Sequence, residues 1–161
     1  MTKQHKNTIN ILFVCHGNIC RSPMALCYFK HLVRQKGLED MFLLDSAATS
    51  TEEIGNGAHP GTRKRLRQAG ISCEGHRAKQ MKRKDYETYD YLIGMDGRNI
   101  SNMNRITGGD PESKIHKLME FAESNKDVDD PWYTGDFEIT WKDIITGCNA
   151  LFEKIVHGST V

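Results

Sequence analysis

The sequence predicts a single α/β domain, a four-stranded parallel sheet with helices on both faces. Three observations carry this reading. At 161 residues the chain has the length of one ordinary domain. Its apolar share of 38% and charged share of 27% suffice for a packed core and argue against wholesale disorder. Short apolar runs alternate with stretches of helical period, and strands alternating with helices imply right-handed crossovers and a parallel sheet. The domain is expected to span 1–161, with the polar residues 1–8 as a flexible N-terminal extension.

Ile9 to Cys15 is a continuous apolar run rich in branched residues, as in a strand buried on both faces. A polar turn, His16-Gly17-Asn18, leads to a helix predicted over Pro23 to Lys36. There Met24, Leu26, Cys27, Phe29, Leu32 and Val33 recur at helical spacing, and Gly37 ends the run. Met41 to Asp45 reads as the second strand and Ser46 to Pro60 as a loop. Gly61 to Gln68 predicts a mostly solvated, arginine-rich helix stopped by Gly70. Tyr89 to Met95 is the third strand, Gly97 to Ile106 a helix closed by Gly108-Gly109, and Ile115 to Phe121 holds the fourth strand. Asp127 to Asp136 is acidic, breaks at Pro131 and is expected as an exposed loop. Thr140 is expected to cap a last helix with Trp141, Ile144, Ile145, Cys148, Leu151, Phe152 and Ile155 along one stripe.

Composition excludes several classes. Net charge is +1, without the basic excess of a dedicated nucleic-acid binder. The charge is uneven: residues 60–86 hold nine Lys or Arg against two acids, and 108–138 nine acids against three Lys. The basic stretch reads as a solvated face, or as one that steers an anionic partner. No apolar run approaches the ~18 residues of a membrane span, and the first ten residues lack signal-peptide order. A cytoplasmic location is expected. The five cysteines, Cys15, Cys20, Cys27, Cys73 and Cys148, form no Cys-x-x-Cys pair and no zinc spacing, so free thiols are expected.

The segment Cys15-His16-Gly17-Asn18-Ile19-Cys20-Arg21-Ser22-Pro23 joins the first strand to the first helix. In open parallel sheets ligands bind beyond the carboxyl ends of the strands. Gly17 and Asn18 tolerate left-handed backbone, so successive amides can point into one concavity, and the helix N-terminus adds its dipole. Pro23 suits a first helical turn. Arg21 supplies a bidentate fork for oxyanions. The same groups favour thiolate over thiol at Cys15, and the thiolate is the nucleophile. Ser22 can donate a hydrogen bond to that sulfur. The pattern predicts an oxyanion cradle built from residues 16–22 with a nucleophile at its mouth. Ester cleavage also needs a proton donor, and Asp129-Asp130-Pro131-Trp132-Tyr133 places acids beside two rings able to wall a cleft.

With those segments in view, the sequence resembles the low-molecular-weight protein tyrosine phosphatases along nearly all of Ile9 to Ile155. Asp45-Ser46-Ala47-Ala48, His76-Arg77-Ala78 and Tyr89-Asp90-Tyr91 through Met95-Asp96 carry the resemblance together with the Cys15 loop and Asp130-Pro131-Trp132-Tyr133. The resemblance implies hydrolysis of phosphotyrosine and aryl phosphate monoesters through a phosphocysteine. Cys15 is then the nucleophile and Arg21 the transition-state clamp. Asp130 protonates the leaving oxygen and later activates water. His16, Gly17, Asn18, Ile19, Cys20, Arg21 and Ser22 bind phosphate. Asn18, Ser22 and Ser46 brace the loop, and His76 with Asp96 form a structural pair behind it. Cys20 matches a second loop cysteine able to form a reversible disulfide with the oxidised nucleophile; its alternative is a packed thiol. Cys27, Cys73 and Cys148 are expected to be without chemistry. His16 and Glu52, with Glu53 beside it, depart from the animal enzymes at the substrate rim, which Trp132 and Tyr133 complete.

Two rivals share parts of this pattern. A thioredoxin-coupled arsenate reductase needs a further cysteine pair, and none lies between Gly75 and Cys148. A phosphate-binding module or phosphocysteine carrier uses a Cys-headed loop but needs no general acid, and Asp130-Pro131-Trp132 tips the balance to hydrolysis. No metal or other cofactor is expected, because thiolate, arginine and amides supply the electrostatics. The expected partners are a tyrosine-phosphorylated protein or peptide as substrate and inorganic phosphate as product, with no nucleic acid and no membrane, on a monomer or weak homodimer.

Overall fold

A computed structural model describes residues 8–158. The expected extension at 1–8 therefore lies outside the described residues except for Thr8, whose hydroxyl donates to the Asn10 side chain at 2.7 Å. Four strands, β1 (Ile9–Cys15), β2 (Phe42–Ala48), β3 (Tyr91–Gly94) and β4 (Ile115–Lys117), form one sheet in the order β2-β1-β3-β4. All three pairings are parallel. The helices are α1 (Arg21–Gln35), α2 (Pro60–Gln68), α3 (Asp85–Thr88), α4 (Gly97–Thr107), α5 (Pro131–Thr134) and α6 (Phe137–His157).

The alternation of side chains along a strand explains why β1 reads as continuously apolar. Ile11 and Phe13 face a core shared with Met24, Phe29, Trp141, Ile144 and Phe152 of α1 and α6. Leu12 and Val14 face the opposite core, with Leu92, Met103 and Ile115 beneath α4. Both faces of this central strand are dry. The edges of Phe29 meet Phe42 and Phe152 at centroid separations of 5.6 and 6.1 Å, and these T-shaped contacts tie α1, β2 and α6 together. On α6, Gly147 admits Leu118: a Cβ there would lie 2.5 Å from Leu118 Cγ.

Several boundaries depart from the expected ones. β2 continues through Ser46 to Ala48 because its register on β1 carries pairing up to Cys15↔Ala48, so the loop begins later than Ser46. β3 is shorter than Tyr89–Met95. The expected Ile115–Phe121 strand pairs only at Ile115–Lys117 and turns into a 3-10 segment over Leu118–Ala122, which burial of Leu118 and Met119 holds down. The helix at 60–68 buries Thr62 and Leu66 despite its arginines. The acidic stretch 127–136 is not simply an exposed loop: Val128 is fully buried and Pro131 opens α5. Asp136, not Thr140, caps α6 by accepting from the amides of Glu138 and Ile139. Thr140 is buried one turn later, where its hydroxyl donates to the Asp129 carbonyl at 3.1 Å. Among the described residues no helix is long and apolar enough to cross a membrane.

Candidate active site

The strand order reverses at β1: β2 lies on one side and β3 on the other. A crevice opens at such a reversal, beyond the carboxyl ends of the strands. Residues 16–20 occupy it, between Cys15 at the end of β1 and Arg21 at the start of α1. Asn18 takes φ 60°, the left-handed conformation expected for Gly-Asn in this turn. Its side chain offsets the strain by organising the loop. Nδ2 donates to Ser22 Oγ at 2.7 Å and to Ser46 Oγ at 3.0 Å, and Oδ1 accepts from the Lys79 amide at 3.2 Å. Asn18, Ser22 and Ser46 are at most 1% exposed.

The loop's carbonyls are committed outward. Those of Cys15, His16 and Ile19 accept from the amides of Thr49, Ser50 and His59 at 2.8–3.0 Å. The Asn18 carbonyl meets His76 Nε2 at 2.7 Å, and the Cys20 carbonyl accepts from Met24 N and Thr62 Oγ1. Burial holds His76 below its ordinary pKa, so its neutral ring donates through Nε2 to a carbonyl oxygen. α1 itself has no side-chain cap and no acid in its first turn, which leaves its N-terminus open to an anion.

Cys15 Sγ lies 3.0 Å from Ser22 Oγ and 3.4 Å from the Ser22 amide nitrogen. Arg21 is 2% exposed, an unusual depth for a guanidinium, and its partners explain it. Nη1 donates to Asp96 Oδ2 at 2.7 Å and to the Val128 carbonyl at 2.9 Å, and Nη2 is 3.4 Å from Asp130 Oδ2. Burial works against the charge, but Cys15, Asp96 and Asp130 outweigh it and hold the guanidinium above its ordinary range. Nε is buried with no hydrogen-bond partner. An orphaned charged N–H is costly, and an incoming oxyanion would satisfy it.

Cys15, Gly17, Ile19, Cys20 and Arg21 form the floor of one cleft, walled by His16, Glu52, Glu53, Asp130, Trp132 and Tyr133. Asp130 caps α5 through Oδ1, which accepts from the Trp132 amide at 3.0 Å, while Oδ2 turns to Arg21. The adjacent Asp129 is exposed and does not line the cleft. Trp132 and Tyr133 stand 58% and 79% exposed at the mouth, and His16 Nε2 pairs with Glu52 Oε1 at 3.1 Å across the opposite lip. Thus the structure brings together the residues expected at the floor and the rim. None of the basic residues of 60–86 lines the cleft, whose walls are acidic, so the steering reading of that stretch finds no support here.

One expectation changes. His76 and Asp96 do not act as a pair: His76 holds the loop at Asn18, whereas Asp96 holds Arg21 and caps α4 through the Asn99 amide at 2.8 Å. Cys27 and Cys73 are free thiols as expected, but nothing in the sequence signalled that their sulfurs approach to 2.7 Å. Cys20 is 4% exposed and its thiol is pushed up to about 12 by burial, with Cys15 and Asp130 adding to the effect. The sequence reading missed the Val128 carbonyl, the Lys79 amide and His59, whose ring meets Trp132 edge-on at 5.9 Å. Backbone partners carry no residue-type signal; only the buried Val128 within an acidic run offered a hint. Among the described residues no cluster of three or more His, Cys, Asp or Glu is arranged to hold a metal.

Comparison with known proteins agrees with this geometry. Residues 10–159 match the family described as "Low molecular weight phosphotyrosine protein phosphatase". The low molecular weight protein-tyrosine-phosphatase YfkJ of Bacillus subtilis is 44% identical over 149 residues, covering 91% of this chain and 96% of the relative. Its crystal structure superposes with a TM-score of 0.90, covering 94% of this chain and 96% of that one, at 43% identity. The Rattus norvegicus low molecular weight phosphotyrosine protein phosphatase is 36% identical over 150 residues, covering 90% and 94%. A low molecular weight protein tyrosine phosphatase from Streptococcus pyogenes superposes with a TM-score of 0.82 at 37% identity, covering 92% and 93%. With the fold and most of the chain in agreement, this chain belongs to the low molecular weight phosphotyrosine protein phosphatases.

Proposed function

We propose that the tyrosine phosphatase activity of this family is carried in this chain by Cys15 as nucleophile, Arg21 as clamp and Asp130 as general acid and base. The observation that supports it most is Arg21. It is buried between Asp96 and Asp130, keeps a partnerless Nε and lines the same cleft as Cys15.

The phosphate of a phosphotyrosine side chain binds over the loop. With five carbonyls committed to the surrounding protein, residues 16–22 offer it their N–H groups, and the open end of α1 adds its dipole. Cys15 Sγ attacks phosphorus in line, forming the S–P bond as the bond to the phenolic oxygen breaks. Asp130 gives that oxygen its proton. The carboxylate left behind then takes a proton from water, whose oxygen attacks the phosphocysteine and releases inorganic phosphate. Ser22 Oγ, 3.0 Å from the sulfur, stabilises the departing thiolate. Asn18, Ser46 and His76 fix the loop, and Asp96 fixes the guanidinium. Trp132 and Tyr133 flank the substrate ring, and His16 with Glu52 meets its neighbours in the peptide. Cys20, which lines the same cleft as Cys15, traps the oxidised nucleophile as a disulfide. The enzyme acts on phosphoproteins as a cytoplasmic, metal-independent hydrolase without a cofactor.

Turnover of p-nitrophenyl phosphate and a phosphotyrosine peptide tests the assignment. Cys15→Ser is expected to abolish turnover while still binding phosphate or vanadate, because the cradle remains. Ordinary activity in that variant overturns it.

A further inference from the structure

Away from the cleft, a second pair of thiols meets. Cys27 lies on α1 and Cys73 in the segment after α2, 46 residues later, with their sulfurs 2.7 Å apart. That is within about 0.7 Å of a disulfide bond length of ~2.05 Å. Cys73 also reaches the Pro23 carbonyl of α1 at 3.9 Å. It is 7% exposed, beside a half-buried Cys27, and it lines a surface depression with Arg63, Arg67, Gly70, Ser72 and the acidic Glu74.

The two thiols are unequal. The hydrogen bond from Cys27 pulls Cys73 below the ordinary thiol range against the effect of burial, and Lys30 and Arg63 add to it. The same bond, with burial, pushes Cys27 up. Cys73, which lines the depression with Arg63 and Arg67, is the thiol that meets an incoming disulfide, and Cys27 lies within bonding reach of it. A nucleophilic thiol beside a resolving thiol is the arrangement that thiol–disulfide exchange requires.

We propose that Cys27 and Cys73 form a second, redox-active dithiol site that exchanges with small anionic disulfides. The Cys73 thiolate attacks one sulfur of the small disulfide, whose S–S bond breaks and releases a thiolate. That thiolate takes the Cys27 proton. Cys27 then attacks Cys73 Sγ, the Cys27–Cys73 bond forms, the mixed disulfide breaks, and the second small thiolate leaves to be protonated from solvent. The protein loses two electrons and the Cys27 proton, solvent supplies the second proton, and the disulfide leaves as two thiols. The product cross-links α1 to the strand of chain that carries His76, so it stabilises the fold.

The test uses the full chain carrying Cys15→Ser and Cys20→Ser, so that the cleft thiols take no part, with oxidised glutathione as probe. A non-reducing digest is expected to show the Cys27–Cys73 cross-link as the main product, with two thiols released per chain. The Tm is expected to rise by about 5–10 °C. Adding Cys27→Ser should stall the reaction with one glutathione on Cys73. Arg67→Ala should slow the reaction several-fold with oxidised glutathione and leave it unchanged with neutral hydroxyethyl disulfide. Absence of the cross-link in the parent chain, or a product that stops there as the mixed disulfide, overturns the proposal. Equal effects of Arg67→Ala on both probes overturn the anionic preference.

Discussion

The floor and the rim of the cleft are built on opposite principles. On the floor, Asn18, Arg21, Ser22 and Ser46 are at most 2% exposed and each polar group but Arg21 Nε is held by protein partners. On the rim, Trp132, Tyr133, Glu52 and His16 are largely exposed, and the His16–Glu52 pair sits where solvent screens it. A charge-stabilising site gains when its dipoles are fixed before the substrate arrives. A surface that meets varied peptides gains from side chains free to adjust. The proposed mechanism therefore assigns chemistry to the floor and discrimination to the rim, and substitutions should divide between kcat and KM along that line.

The strongest challenge to this division is Arg21→Lys. A point charge cannot reproduce a planar fork shared between Asp96, Val128 and an oxyanion. A loss of about 10³-fold or more in kcat/KM is expected, with the circular dichroism spectrum unchanged. A loss below tenfold would place the clamp elsewhere.

Asp130 lies at the boundary, since it caps α5 at the rim yet faces Arg21 on the floor. Asp130→Asn should slow phenyl phosphate by about 10²-fold, and slow an ester of a very acidic phenol far less, because only a basic leaving group needs the proton. The exposed Asp129, replaced by Asn, should show neither effect. If the leaving-group dependence instead follows Asp129, the assignment of the two acids is reversed.

Rim changes should be smaller and of another kind. Trp132→Ala should raise KM for a phosphotyrosine peptide several-fold and change kcat less than twofold, consistent with about 1 kcal/mol for one ring contact. Glu52→Gln should alter preference among peptides differing in charge and leave p-nitrophenyl phosphate turnover unchanged. A fall in kcat equal to the rise in KM would show that the rim takes part in the chemistry.

The smallest effect sharpens the same contrast through pH. Burial lowers the His76 pKa in the folded chain below its ordinary value of about 6.5. Below that value the unfolded chain binds the proton more readily, so stability present above pH 6.5 is lost as pH falls toward the folded-state pKa. The urea midpoint should drop over that window, and less so in His76→Gln, which keeps a donor for the Asn18 carbonyl.

The same split separates what was legible in the sequence from what was not. The floor is local: Cys15 to Pro23 is one contiguous segment between an apolar strand and a periodic helix, and φ 60° at Asn18 follows from residue type. β1, α1, α4 and the apolar stripe of α6 are legible for the same reason, since each is specified by neighbours three to seven positions away. The end of β2 and the shortness of β4 are not, because strand length is set by how far pairing with another strand extends. Thr140 was misread because its better use, a bond to the Asp129 carbonyl, depends on where the preceding loop folds back.

By itself, then, the sequence determined the α/β alternation, the loop and its nucleophile, and the family, since these reside in residue type and short spacing. Tertiary structure alone decided which carboxylates hold Arg21, that His76 and Asp96 serve different ends of the loop, and that Cys27 meets Cys73. Arg21 finds Asp96 and Asp130 from 75 and 109 residues away, and Cys27 finds Cys73 across a whole crossover. Contacts at that separation are set by the packing of helices on a common sheet, and no local periodicity encodes them.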